Sequence, residues 1–192
     1  MDSHPKRSGR DVLRSLTRTI AAAAGALAVT GATLLAAGPA QAATAAADTA
    51  AAKRPRGVIC VNAHVQNIGW QGWRCARNGN WLTVGTTGQG LRLEALQFET
   101  RRTDGICVEA HVQDIGWQEE ECGDDREVIE VGTTGQSLRL ESLKLETGTG
   151  ICAQAHVANI GWQRSRCVRG ERDVVVGTEG RSLAMEALRL RV

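Results

Sequence analysis

Three histidines, three tryptophans and three glutamates recur in this chain at constant spacing. They are His64, Trp70 and Glu94; His111, Trp117 and Glu141; His156, Trp162 and Glu186. The His and Trp stand in "AHVQNIGWQ", "AHVQDIGWQ" and "AHVANIGWQ". A histidine beside a carboxylate suits proton transfer, metal binding or a hydrogen-bonded structural pair. Catalysis needs a further group, and no serine recurs beside the histidine, while Thr86, Thr133 and Thr178 fall in turns. No catalytic residue and no cofactor are expected. A three-histidine metal site on a symmetry axis is chemically conceivable, but nothing in the sequence brings the three strands to one axis, so no metal is expected. The preferred reading is a partly buried histidine near a disulfide, with the glutamate as its partner or as a neighbour in a shallow site. Tryptophan in an aromatic-poor chain reads first as a core anchor. The functional alternative is a platform for a sugar ring or another flat surface.

The elements that position these residues are repeated too. Cys60–Glu94, Cys107–Glu141 and Cys152–Glu186 align without a gap over 35 columns, 15 of them identical. Length differences fall in the connectors, as expected when each copy is one supersecondary unit. Within a unit, Ile59, Val61, Ala63 and Val65 alternate with Cys60, Asn62, His64 and Gln66, the pattern of a strand with one apolar face. Gly69 ends it and Trp70 follows the turn. A third strand ends at Val84, "GTTGQG" is a turn, and "LRLEALQF" is a strand. There Leu91 and Leu93 are out of phase with Leu96 and Phe98, which predicts a bulge near Ala95 or burial of both faces. The expectation is an all-β domain of about four short strands per unit, about twelve in all. Three units suit a closed pseudosymmetric arrangement, prism-like in preference to the alternative, a β-trefoil.

Six cysteines lie in this region, and the separation within each unit is 15 residues. The simplest pairing is Cys60–Cys75, Cys107–Cys122 and Cys152–Cys167. A small exported domain benefits from such bridges, and the spacing does not suit zinc.

Residues 1–42 read as a signal peptide: Lys6, Arg7, Arg10, Arg14 and Arg18 precede an apolar stretch, and "PAQA" offers small residues for cleavage. Residues 43–56 read as an Ala-rich flexible linker, and 57–192 as the folded domain, divided 57–103, 104–148 and 149–192. The whole chain has 23 basic and 21 acidic residues. Five of the basic and two of the acidic ones belong to the leader, so the exported chain is close to neutral. Neither nucleic-acid binding nor membrane attachment after cleavage is expected.

The units also differ. Unit one alone adds Trp73 and Trp81, a pair of aromatics that hints at a ligand face. Unit two is acidic, with "EEECGDDRE" at Glu119 to Glu127 reading as a solvated loop or as charge pairing with neighbouring units. Units one and three are net basic.

"AHVQNIGWQ" taken with "GTTGQGLRLEAL" and "GTTGQSLRLESL" resembles the ChW repeat, named for clostridial hydrophobic repeats with a conserved tryptophan. The resemblance covers 57–192 and implies an extracytoplasmic protein that binds polysaccharide, a cell surface or protein partners. It rests on His64, Trp70, Gly85, Gly88, Glu94 and their counterparts, and it brings no catalytic residue. Two departures stand out. An aromatic common in the family's first strand is replaced by Val61, Val108 and Ala153, and unit three reads "GTEGRSLAME". The expectation is a secreted, non-catalytic module for polysaccharide or cell-wall glycan; the alternative is an extracellular protein partner or a structural envelope role. The expected ligand-binding residues are the five tryptophans with the three His and the three Glu, and unit one is the expected place of strongest binding.

Overall fold

The alternation read from the sequence becomes a ring of strands around one apolar core. The structure, a computed structural model, describes residues 57–77 and 79–192. The expected signal peptide (1–42) and linker (43–56) lie outside the described residues. Unit one contributes β1 (Val58–Val65), β2 (Gly69–Trp70), β3 (Arg74–Arg77), β4 (Leu82–Gly85) and β5 (Leu93–Arg101). Unit two contributes β6 (Ile106–Val112), β7 (Gly116–Trp117), β8 (Glu121–Gly123), β9 (Val128–Gly132) and β10 (Leu140–Thr147). Unit three contributes β11 (Cys152–Val157), β12 (Gly161–Trp162), β13 (Arg166–Cys167), β14 (Val174–Gly177) and β15 (Met185–Arg191). Each unit thus has five strands rather than four. The added one is the two-residue return after the first turn, which pairs His64 with Trp70 and Val65 with Gly69.

Three antiparallel sheets form, and each is shared between two units. In sheet one the order is β2-β1-β5-β9, in sheet two β7-β6-β10-β14, and in sheet three β12-β11-β15-β4, with β3, β8 and β13 pairing beside the short return strands. The fourth strand of every unit therefore leaves its own unit. β9 of unit two completes sheet one, β14 of unit three completes sheet two, and β4 of unit one completes sheet three. The last unit is closed by the first. Three separate sheets around one core make the prism-like arrangement; the trefoil, a barrel, is not formed.

The inner faces carry the small aliphatic residues that the alternation predicted: Ile59, Val61, Ala63 and Val65 from β1, with Leu96 and Phe98 from β5, and their counterparts. No tryptophan lies in this core. The disulfides are Cys60–Cys75, Cys107–Cys122 and Cys152–Cys167. Cys60 and Cys107 sit directly opposite their partners in register with β3 and β8, and Cys152 opposite Cys167 in β13. They staple a short outer strand to each first strand, and three such bonds belong in an oxidising compartment.

The bulge also forms, one residue from where the phase change pointed. Pairing skips from His64–Ala95 to Val65–Leu93, leaving Glu94 as the extra residue. Glu141 and Glu186 are skipped in the same way. The bulge turns Leu93 and Leu96 to the same side despite their odd spacing.

Candidate functional site

The bulged glutamate is where the repeated residues meet. Its backbone carbonyl serves the joint between units: Thr133 N–H donates to Glu94 O at 2.9 Å, Thr178 N–H to Glu141 O at 2.8 Å, and Thr86 N–H to Glu186 O at 2.9 Å. The glycine just before each threonine lies against the same bulge. Gly132 has φ 95°, and a Cβ there would lie within 2.8 Å of Ala95 Cα and collide with Glu94 O. Only glycine fits both the dihedral and the approach. The glutamine of "GWQ" holds this glycine from its own unit. Gln118 donates to Gly132 O at 3.1 Å and accepts from Gly132 N–H at 2.7 Å, and Gln163 does the same for Gly177. Sequence reasoning missed Gln71, Gln118 and Gln163, although their identity in all three units was the available signal.

The glutamate side chain faces outward to the histidine. His64 Nδ1 lies 3.2 Å from Glu94, His111 Nδ1 3.2 Å from Glu141, and His156 Nδ1 2.9 Å from Glu186. These approaches are close but out of line with the ring N–H, so each Nδ1 has no well-formed hydrogen bond. They act as close polar contacts that orient the ring. The other carboxylate oxygen is taken by Arg92 at 2.8 Å in sheet one and Arg139 at 2.7 Å in sheet two. Ala184 stands at this position in unit three, so Glu186 has the histidine without the arginine. The three histidines lie on the outer faces of three different sheets, each with its own glutamate, and do not converge.

Each histidine in turn meets its tryptophan edge-on. The ring centroids are 5.2 Å apart for His64–Trp70, 5.4 Å for His111–Trp117 and 5.2 Å for His156–Trp162, with interplanar angles of 78° to 83°. Cross-strand register places Trp on the same face as His, outside the core. The core-anchor expectation for Trp70, Trp117 and Trp162 is therefore corrected: Trp70 is 37% exposed, and the other two are half-buried. The isoleucine two residues earlier goes further. Ile68, Ile115 and Ile160 are 50%, 50% and 42% exposed at the tips of the turns. They are identical in all three units, but an apolar residue beside a strand reads from sequence as core.

Trp73 and Trp81 are 44% and 40% exposed, yet they belong to different surfaces. Trp73 lies in the 71–73 connector beside sheet one. Trp81 precedes β4, which pairs in sheet three, and the Arg191 guanidinium lies 4.8 Å from its ring centroid. The strand exchange thus splits the pair that the sequence assigned to unit one.

A second row on each outer face differs between sheets. In sheet one Asn62 donates to Gln97 at 3.0 Å, and Gln97 donates to Glu130 at 2.8 Å. In sheet two the equivalent of Gln97 is Lys144, which reaches Glu109 at 2.6 Å and Glu120 and Asp173 at 4.0 Å each. The hydrogen bond to Glu109, reinforced by the three negative charges and opposed by burial, holds the Lys144 pKa above the ordinary lysine value. In sheet three the equivalent is Arg189, whose guanidinium lies 4.2 Å from the Trp162 ring centroid while its Nε donates to Thr83 at 3.2 Å.

The acidic loop of unit two serves the joint with unit one. Asp125 accepts from the Thr103 hydroxyl at 3.0 Å and from Thr100 at 3.2 Å, and takes the Thr103 and Gly105 backbone N–H groups as well. Burial raises its pKa, but these hydrogen bonds together outweigh burial and lower it below the usual carboxylate value.

The family described as ChW, clostridial hydrophobic W, matches residues 64–99, 111–147 and 156–192. The chain belongs to the ChW family. Each matched segment of this ChW protein starts at the repeated histidine and includes the tryptophan, the exchanged strand and the bulged glutamate. Comparison with curated proteins and with solved structures gave no match.

Proposed function

We propose that this ChW protein is a secreted, non-catalytic binding module for extracellular polysaccharide or cell-wall glycan. One observation carries the reading: the repeated tryptophans stand outside the core, on three outer faces, each with a histidine against it. A core role would account for a repeated Trp only if it were buried. Held indole faces beside polar rows match what a pyranose needs, an apolar face to stack on and amide or carboxylate groups for its hydroxyls. The row Asn62–Gln97–Glu130 offers such groups in sheet one. The glutamate nearest each tryptophan already contacts histidine, and in two sheets arginine, which favours positioning over proton transfer. The leader and the disulfides support export.

The test is retention of the oxidised chain on insoluble glycans and purified cell walls, beside a Trp73→Ala/Trp81→Ala variant of equal melting temperature. Retention of the wild type with weaker retention of the variant supports a glycan module. Absence of retention on every glycan sinks it. A second reading, docking of an extracellular protein, is favoured by the exposed Ile68, Ile115 and Ile160; it predicts a bound partner protein and no glycan retention.

A further inference from the structure

The three outer faces share one scaffold but not one charge. Around Lys144 in sheet two, three carboxylates neutralise the cation: Glu109, Glu120 and Asp173. By the repeat alignment and the strand exchange, the same three positions around Arg189 in sheet three are Gln154, Ser165 and Trp81. Each of these three acids is replaced there by a neutral residue, while the cation is kept. Arg191, two residues along the same strand and so on the same face, adds a second guanidinium. Its Nη2 lies 3.4 Å from the Cys152 sulfur, and its guanidinium carbon lies over the Trp81 ring.

We infer that the outer face of sheet three is a site for an acidic polysaccharide whose pyranose rings carry carboxylates. The inference rests on the glycan reading and narrows it. Arg189 and Arg191 are each fixed against an indole, which holds the guanidinium forks in place before a ligand arrives. A planar fork pairs bidentately with a carboxylate. Trp81 remains 40% exposed with Arg191 against it, leaving apolar surface for a sugar ring. A ligand that uses both features must bring a ring and an anion in the same repeat. A polyuronate does so, whereas a chain of polyol phosphates brings only the anion. Because Trp81 and Thr83 come from unit one and the arginines from unit three, the site exists only in the closed ring.

The test is a titration of the oxidised full chain with soluble polygalacturonate, its fully methyl-esterified form, and poly(glycerol phosphate). Three proteins are compared: wild type, Arg189→Gln/Arg191→Gln, and Ser165→Glu, an exposed change that supplies the acid found in sheet two. Melting curves confirm that all are folded. The expected result is that polygalacturonate binds the wild type best, and that both variants bind it about tenfold more weakly or worse. Equal binding of poly(glycerol phosphate) overturns the ring-plus-carboxylate assignment. Equal binding of the esterified polymer, or unchanged binding in both variants, overturns the role of the arginines. Failure to bind any of the three polymers, with cell walls still retained, overturns this inference alone; failure on every glycan overturns the reading beneath it as well.

Discussion

Gly132→Ala tests the joint on which the ring depends. The residue sits at the end of β9, where unit two crosses onto the sheet of unit one, with φ 95°. Placing an L-residue in the left-handed region costs about 1–2 kcal/mol. The added Cβ also meets backbone, Glu94 O and Ala95 Cα, rather than a flexible side chain. Relief requires β9 to move off the bulge, which lengthens the Thr133–Glu94 bond and disturbs the Gln118 clamp. Overpacking of this kind adds about 1–3 kcal/mol, giving a total loss of about 2–5 kcal/mol. Gly135, in the same turn, provides the control: its φ is 72° but nothing lies within 4 Å of a Cβ. Gly135→Ala should therefore cost about 1–2 kcal/mol. The assay is equilibrium unfolding in guanidinium chloride with the disulfides intact. Equal losses for the two variants would refute the close-approach argument, because the dihedral would then be the whole effect.

Further expectations follow from other parts of the structure. Trp70→Ala should cost under about 1.5 kcal/mol, the scale of one aromatic pair, against the 3–5 kcal/mol typical of a core aromatic; urea unfolding decides between them. Cys107→Ser/Cys122→Ser opens a bridge with a sequence separation of 15 and should lower stability by about 3 kcal/mol, read in the same assay. Asp125 has a lowered pKa in the fold, so its contribution is present above the unfolded value near 4 and is lost as pH falls through the folded value. Asp125→Asn should accordingly flatten the stability profile below about pH 4, and an unchanged acid limb would contradict the hydrogen-bond account.

The sequence spoke clearly wherever a signal was local. Alternation in Ile59–Val65 marked the inner face, equal spacing of cysteines marked the bridges, and the phase break after Leu93 marked the bulge. The strand exchange was hidden for a physical reason. When three units carry the same residues at corresponding strand positions, pairing within a unit and pairing with the next satisfy the same pattern. Val84, Val131 and Val176 read alike whether they join their own sheet or their neighbour's. That ambiguity is why sequence alone groups Trp81 with Trp73 rather than with Arg191. Tryptophan exposure was less hidden. His64 was already on the outer face, and a tight return from Val65 to Gly69 puts Trp70 opposite His64. In a protein poor in aromatics, the hydrophobicity of a large apolar residue points to the core, whereas the register points outward.

On the proposed function, the repeated tryptophans bind at the surface rather than hold the core. The most direct measurement compares retention of the wild type and of Trp70→Ala/Trp117→Ala/Trp162→Ala on insoluble glycans and purified cell walls, with unfolding curves taken for both. The expected variant still folds cooperatively but loses retention. A variant that fails to fold, or one that folds and binds as the wild type does, would contradict the proposed function.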